Sequence, residues 1–366
     1  MLPAACFPSL PPRWSGFSLS LLVGAFLLPM SAHAESGGVH AEVAIEFHSD
    51  WTTNSDDPAN ERGDTNIKIE AGIEAELASN LKLKSLAVVE PVLDPAEGED
   101  RFFDDEGLYL QELFAEYEGK TFAVRAGKFG QKFGVAWDSA PGIWGTDFAE
   151  DYEMAEQIGV AADLRFGSKD SGAHVFTVGT FFADTSFLSQ SALTNRGRTR
   201  KSDGGPGNTE NFSSFSVALE GGKIPALTGL RYHLAYIYRD AEGADETAET
   251  GLAAAVSIKV PAGAVALVPL IEYVALNDSG GMRGTDVRYL TTSLGAEYGK
   301  WNVALSRTAR ETASTDAADV NDSLFQVSAG YVFDTGIGVN VGWRQAREEG
   351  VDSDALGLLV DYAVQF

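Results

Sequence analysis

Apolar and polar residues alternate with a period of two along most of the chain. Val39, Ala41, Val43, Ile45 and Phe47 interleave with His40, Glu42, Ala44, Glu46 and His48. Ile67, Ile69, Ala71, Ile73, Ala75 and Leu77 interleave with Lys68, Glu70, Gly72, Glu74 and Glu76. A helix would scatter these side chains over all its sides, whereas a strand sorts them onto two faces. The same alternation predicts further strands near 81–90, 108–118, 121–129, 158–166, 173–183, 212–220, 229–239, 251–260, 265–276, 287–298, 301–309, 323–333, 337–346 and 355–366, sixteen in all. Pro269 predicts a bend or a break in its strand, because it has no N–H to give to a ladder.

The connections carry an independent signal. Short ones, such as 78–80, 119–120, 261–264, 299–300 and 334–336, alternate with longer ones at 50–64, 91–107, 130–157, 184–211, 240–249, 277–286, 310–322 and 347–354. A soluble sandwich has no reason to sort its loops in this way, but a transmembrane barrel does. With both chain ends on the short-turn side the strand count must be even, and sixteen is even. The expected fold class is therefore all-β, a transmembrane antiparallel barrel of about sixteen strands. In lipid every backbone amide must be paired within the protein, which a closed sheet achieves. Its apolar face looks out at lipid and its polar face lines the lumen. Aromatic pairs beside short turns, Tyr117 with Phe122, Tyr298 with Trp301 and Tyr331 with Phe333, fit interfacial girdles, and Tyr232, Tyr236 and Tyr238 share one face.

The first 34 residues break the pattern. Arg13 is their only charge, an apolar run follows from Phe17 to Met30, and Ala32-His33-Ala34 closes it. These are the three parts of an export signal. We expect residues 1–34 to be a cleaved signal peptide and residues 35–366 to be the barrel. The run is too short for a spanning helix, which needs about 20 residues.

Composition then removes several function classes. There are 53 Asp and Glu against 27 Lys and Arg, a formal net charge of −26. Binding a phosphate backbone needs clustered cations, so nucleic acid is not an expected partner. One cysteine, Cys6, excludes a disulfide framework, and five histidines offer little to a metal centre. No cofactor and no metal are expected. Much of the acid lies in the longer connections, which read as solvated surface or as divalent-cation bridges to lipopolysaccharide. Arg196, Arg198, Arg200 and Lys201 are the exception. They read as a mobile, solvated loop segment, or else as a contact to anionic lipid.

Leu356, Leu358, Val360, Tyr362, Val364 and Phe366 are apolar at every second position up to the last residue. This resembles the C-terminal signature of bacterial outer-membrane barrels. The resemblance implies an outer-membrane location and a role for Phe366 as the signal read by the assembly machinery. The connection 130–157 is long and rich in aromatics, with Phe133, Trp137, Trp144, Phe148 and Tyr152. Gly127-Lys128-Phe129-Gly130-Gln131-Lys132-Phe133-Gly134 and Pro141-Gly142-Ile143-Trp144-Gly145-Thr146-Asp147 resemble the constriction-loop region of Gram-negative porins. Where enteric members carry a Gly-Gly pair this chain has Trp144-Gly145.

That resemblance implies a loop folded into the lumen, with Asp147, Glu150, Asp151 and Glu153 on the acidic side of a constriction. The basic side would come from the wall: Arg125, Lys68, Lys82 or Lys84, Arg165, Arg231, Arg239 and Arg344. It also implies a homotrimer and passive diffusion of ions and small hydrophilic solutes, with a cation preference suggested by the loop acids. An anion- or phosphate-selective porin stays open, as does a barrel enzyme or a non-conducting structural barrel. An enzyme is disfavoured because His40, His48, His174 and His233 accompany no Gly-x-Ser-x-Gly element. Small inward residues, Gly72, Gly127, Gly159, Gly338, Gly342 and Gly357, suggest an open lumen.

Overall fold

The computed structural model describes residues 38–243 and 246–366; the expected signal peptide lies outside them. Sixteen long strands follow one another in chain order. They are β1 (Val39–Ser55), β2 (Gly63–Ala78), β3 (Leu81–Pro91), β4 (Glu106–Glu118), β5 (Phe122–Phe129), β6 (Gln157–Ser168), β7 (Gly172–Ala183) and β8 (Ser214–Gly222). Next come β9 (Leu230–Arg239), β10 (Glu249–Ile258), β11 (Val265–Asn277), β12 (Thr285–Tyr298), β13 (Trp301–Ser314), β14 (Val320–Val332), β15 (Gly338–Glu348) and β16 (Val351–Gln365). Each pairs antiparallel with its neighbour, and β16 pairs with β1 from Glu42↔Gln365 to Ser55↔Ser353, which closes the sheet. All sixteen strands lie where the alternation places them.

The ladder breaks once near Pro269, although β11 itself runs straight through that residue. Ser257 pairs with Leu270 and Val260 with Leu267, in one register, but the ladder lapses between them. The missing N–H of Pro269 is felt on the neighbouring strand, where Val260–Ala262 continues β10 after Lys259.

The loop lengths differ from expectation at one end. The connection expected at 347–354 is the two-residue turn Glu349-Gly350, both at positive φ (52° and 86°), as a tight hairpin turn requires. The loops expected at 50–64 and 310–322 shrink to 56–62 and 315–319. The strands continue past the apolar belt with polar residues on both faces, so the alternation fades while the backbone pairing does not. Long connections remain at 92–105, 130–156 and 184–213.

The girdle aromatics at the short-turn rim are in place. Tyr117 stacks on Phe122 at 5.8 Å, Trp301 meets Tyr331 at 4.8 Å, and Tyr331 meets Phe333 at 5.0 Å. The lumen-facing positions carry the charge, beginning with Glu46 and His48 on β1.

Candidate functional site

Residues 130–156 do not extend away from the barrel. They run along its inner wall, and their course can be followed from contact to contact. Lys132 Nζ lies 3.4 Å from Glu220 on β8. Phe133 is fully buried in a cluster with Ile237 of β9 and Val274 of β11. Glu272 of β11, 1% exposed, accepts the N–H groups of Val135 at 2.6 Å and Ala136 at 2.9 Å. These N–H groups open the short helix α1 (Ala136–Ser139). Gln326 of β14 donates to the carbonyl of Pro141 at 2.9 Å.

Trp144 then reaches the seam where the two ends of the sheet meet. Its indole N–H donates to Asp50 of β1 at 2.8 Å. Its ring lies against Gly342 of β15 and Gly357 of β16, where a Cβ would collide with it. Gly342 and Gly357 are thus not open lumen, as their small size suggested; they form the seat of a tryptophan.

A return limb runs back through the 3-10 turn Asp147–Tyr152. Asp147 pairs with Arg344 of β15 at 2.9 Å, and Asp151 with Arg310 of β13 at 2.7 Å and the Tyr289 hydroxyl of β12 at 3.2 Å. Tyr152 donates its hydroxyl to Glu272 at 2.5 Å, so one carboxylate holds both limbs. The Gln131 N–H to Met154 carbonyl bond, 2.9 Å, zips the limbs together at the base. A buried loop must satisfy its backbone groups, and here wall side chains do so.

The four loop acids divide into two pairs. Asp147 and Asp151 turn towards the wall beneath the loop. Glu150 accepts from the Thr146 hydroxyl at 2.9 Å, and Lys68 of β2 is the cation whose field reaches both Glu150 and Glu153. Burial pushes the Glu153 carboxyl up to about 7; Lys68 opposes this, while Glu90 and Glu70 add to it. Burial also pushes Glu150 up, reinforced by Asp147.

The candidate bases divide too. Lys68, Lys82, Lys84 and Arg125 line β2, β3 and β5, away from the loop's anchors, and each is paired. Lys68 lies 2.9 Å from Glu70, Lys82 2.6 Å from Glu74, Lys84 2.8 Å from Glu116 and Arg125 3.0 Å from Asp163. Arg344 is a loop anchor. Arg239 pairs with Glu249 at 2.9 Å at the long-loop end, while Arg165, 2.8 Å from Glu118, and Arg231 stand near the short turns. These three do not join Lys68, and neither do Lys82 and Lys84, which flank the short turn 79–80.

The basic segment of the fourth long loop is split: Arg198, Arg200 and Lys201 are exposed, as a solvated stretch would be, and Arg196 is not. Arg196 is buried, 2.6 Å from Glu156, with its guanidinium 4.0 Å from the Tyr109 ring centroid. Arg198 donates to the Thr185 carbonyl, and Lys201 pairs with Glu242 at 2.6 Å. Lys128 joins the same network, 2.7 Å from Asp184 and 2.8 Å from Glu156. Sequence reasoning did not single out Glu272, Gln326, Asp50 or Arg310. A lone carboxylate amid the apolar residues of 265–276 was the one visible signal for Glu272.

Solved structures share this architecture. The outer membrane channel DcaP of Acinetobacter baumannii superposes with a TM-score of 0.60 at 12% identity, covering 90% of this chain and 99% of that one. OprB of Pseudomonas putida gives a TM-score of 0.63 at 11% identity, covering 89% and 94%. A loop L8 deletion mutant of OmpT, an outer membrane protein of Vibrio cholerae, gives 0.56 at 9%, covering 90% and 100%. The chain has the fold of the sixteen-stranded outer-membrane porins. No protein-family model and no curated protein sequence matches it. At such low identity the shared property is the barrel, and the contacts that hold its third long loop are read from this chain alone.

Proposed function

We propose that this protein is a passive outer-membrane channel for ions and small hydrophilic solutes, narrowed by residues 130–156 and preferring cations. The observation that carries the reading is the course of that loop. It is tethered to β8–β16 and β1, so the remaining passage is bordered by the loop's Glu150 and Glu153 and by the charged wall of β2–β6. Every base on that wall has a carboxylate within ion-pair distance, whereas the loop contributes six acids against one base, Lys132, which pairs with Glu220 of the wall. Charged rings of one sign set ion preference in a narrow pore. An anion-selective channel would need unpaired lumen cations, and the pairing of Lys68, Lys82, Lys84 and Arg125 speaks against it. A homotrimer and association with lipopolysaccharide are parts of the same proposal, drawn from the resemblance.

Planar-bilayer recording across a KCl gradient tests it. Stepwise conductance with a cation-side reversal potential is the expected result. An anion-side reversal overturns the preference, and a folded barrel without conductance overturns the channel.

A further inference from the structure

The wall of the barrel is not equally tall all round. β4 pairs with β5 only from Glu118↔Ala123 to Leu113↔Lys128, and β5 with β6 only as far as Phe129↔Gln157. There the chain leaves the sheet as the third long loop. β4 runs on to Glu106, seven residues beyond its last partner on β5. At about 3.3 Å per residue and a tilt of about 40°, this edge would stand roughly 18 Å clear of its neighbour. An open sheet edge leaves backbone N–H and C=O groups unpaired.

The fourth long loop covers that edge. Its two-residue strand Ala192–Leu193 pairs antiparallel with Gly107–Leu108. The Thr194 N–H donates to the Glu106 carbonyl at 3.1 Å. Two residues further on, the Arg196 guanidinium lies over the ring of Tyr109 on β4. Arg196 is oriented by its own loop. Its Nε donates to the Ser189 carbonyl at 2.8 Å, and its backbone N–H to Ser191 Oγ at 2.9 Å.

What Arg196 holds is the far end of the third loop. Glu156 is the last residue of that loop and has a φ of 53°, a region disfavoured for a residue with a side chain. Three contacts keep it there. Arg196 at 2.6 Å and Lys128 at 2.8 Å hold the carboxylate, and the Asp184 N–H donates to its carbonyl at 3.2 Å. Arg196 and Asp184 both belong to the fourth loop. The turn at Glu156 sets the direction in which the return limb enters the lumen, and Glu153 stands on that limb, one short step from the turn.

We propose, on the channel reading above, that Arg196 is a positioning residue for the constriction: from the fourth loop it fixes the turn at Glu156 and thereby the place of Glu153 in the passage. The loop that completes the wall thus also sets the aperture.

The test records the purified full-length barrel in planar bilayers across a KCl gradient at pH 8, where the Glu153 carboxyl is charged. Arg196→Gln should raise open-channel noise and move the reversal potential towards zero, because Glu153 no longer keeps its place at the border. Removing a cation from beside an acidic passage acts the other way and strengthens cation preference, so the sign separates position from charge. Arg196→Lys keeps a cation for Glu156 but loses the fork that reaches Ser189 as well, and should show intermediate noise. If Arg196→Gln does not migrate as a folded, heat-modifiable barrel, Arg196→Lys carries the same comparison. A Leu108→Cys/Ala192→Cys disulfide fastens the loop to β4 at a directly opposed pair, where Cα atoms stand about 4.5–5.5 Å apart. Oxidised, it should leave the parent unaltered and leave Arg196→Gln noisy. Parent-like noise in the arginine variants, a larger cation-side reversal potential, or noise abolished by the disulfide overturns the proposal. A parent barrel without conductance overturns the channel reading itself, and the proposal with it.

Discussion

Glu272 is the residue on which the loop's course most depends. Its carboxylate accepts two backbone N–H groups on the outgoing limb and the Tyr152 hydroxyl on the return limb. Glu272→Ala removes the shared acceptor and leaves three buried donors without a partner. A buried donor left without a partner costs about 1–3 kcal/mol, and losses within one network fall short of their sum, so the loop should lose roughly 3–6 kcal/mol of tethering. The barrel should not unfold, because the ladders of β11 with β10 and β12 do not involve this side chain. The Arg344, Arg310 and Gln326 anchors persist, so the loop should loosen about α1 and remain held at Trp144. In single-channel recording the variant should show higher open-channel noise and a larger mean conductance, with unaltered heat-modifiable migration. Glu272→Gln retains one acceptor oxygen and should fall between. A variant indistinguishable from the parent in noise and conductance would falsify the assignment of this carboxylate as the tether.

Other outcomes follow from the same geometry. Trp144→Ala empties a fully buried aromatic seat, a loss of about 3–5 kcal/mol to the loop, and should widen the pore as measured by exclusion of sized polyethylene glycols. Gly357→Val should give the same phenotype by filling the seat from the wall, and the double variant should be no worse than either single one. Lowering the pH from 8 to 6 crosses the value near 7 at which Glu153 takes up a proton. The carboxyl is charged above it and neutral below it, so cation preference from reversal potentials should fall over this range, and Glu153→Gln should remove that dependence. Arg196→Ala leaves Glu156 to Lys128 alone in a buried network, a cost of about 3–5 kcal/mol, and should make residues 184–213 cleavable under limited proteolysis.

The strand count and closure were legible in the sequence because a barrel in lipid enforces period-two alternation on every strand. The strand ends were not legible. Above the belt Arg347 and Asp352 face outward in place of apolar residues, so pairing continues where the alternation stops. The third long loop was legible as something that packs, through Phe133, Trp144 and Tyr152, which have no reason to sit in water. Its acids were legible only as a group. Asp147 and Asp151 differ from Glu150 and Glu153 in which way they turn, and that depends on Arg344 and Arg310, which reach the loop from nearly 200 and 160 residues away in the chain. Inward glycines misled for a related reason: a missing side chain looks the same in sequence whether water or an indole fills its place.

Trp144 bridges the first strand and the last. Its seat is made of Gly357 on β16 and Gly342 on β15, and its indole bond goes to Asp50 on β1. The glycine floor on β15–β16 and the carboxylate on β1 come together around the indole only when the opening and closing strands have met. The loop is thus a clasp thrown across the seam from inside, and it can fasten only on a finished cylinder. Narrowing of the passage and completion of the wall become one event in assembly, in that order. A barrel caught with its seam unzipped offers the clasp only half of its hold, and the two faults would be observed together.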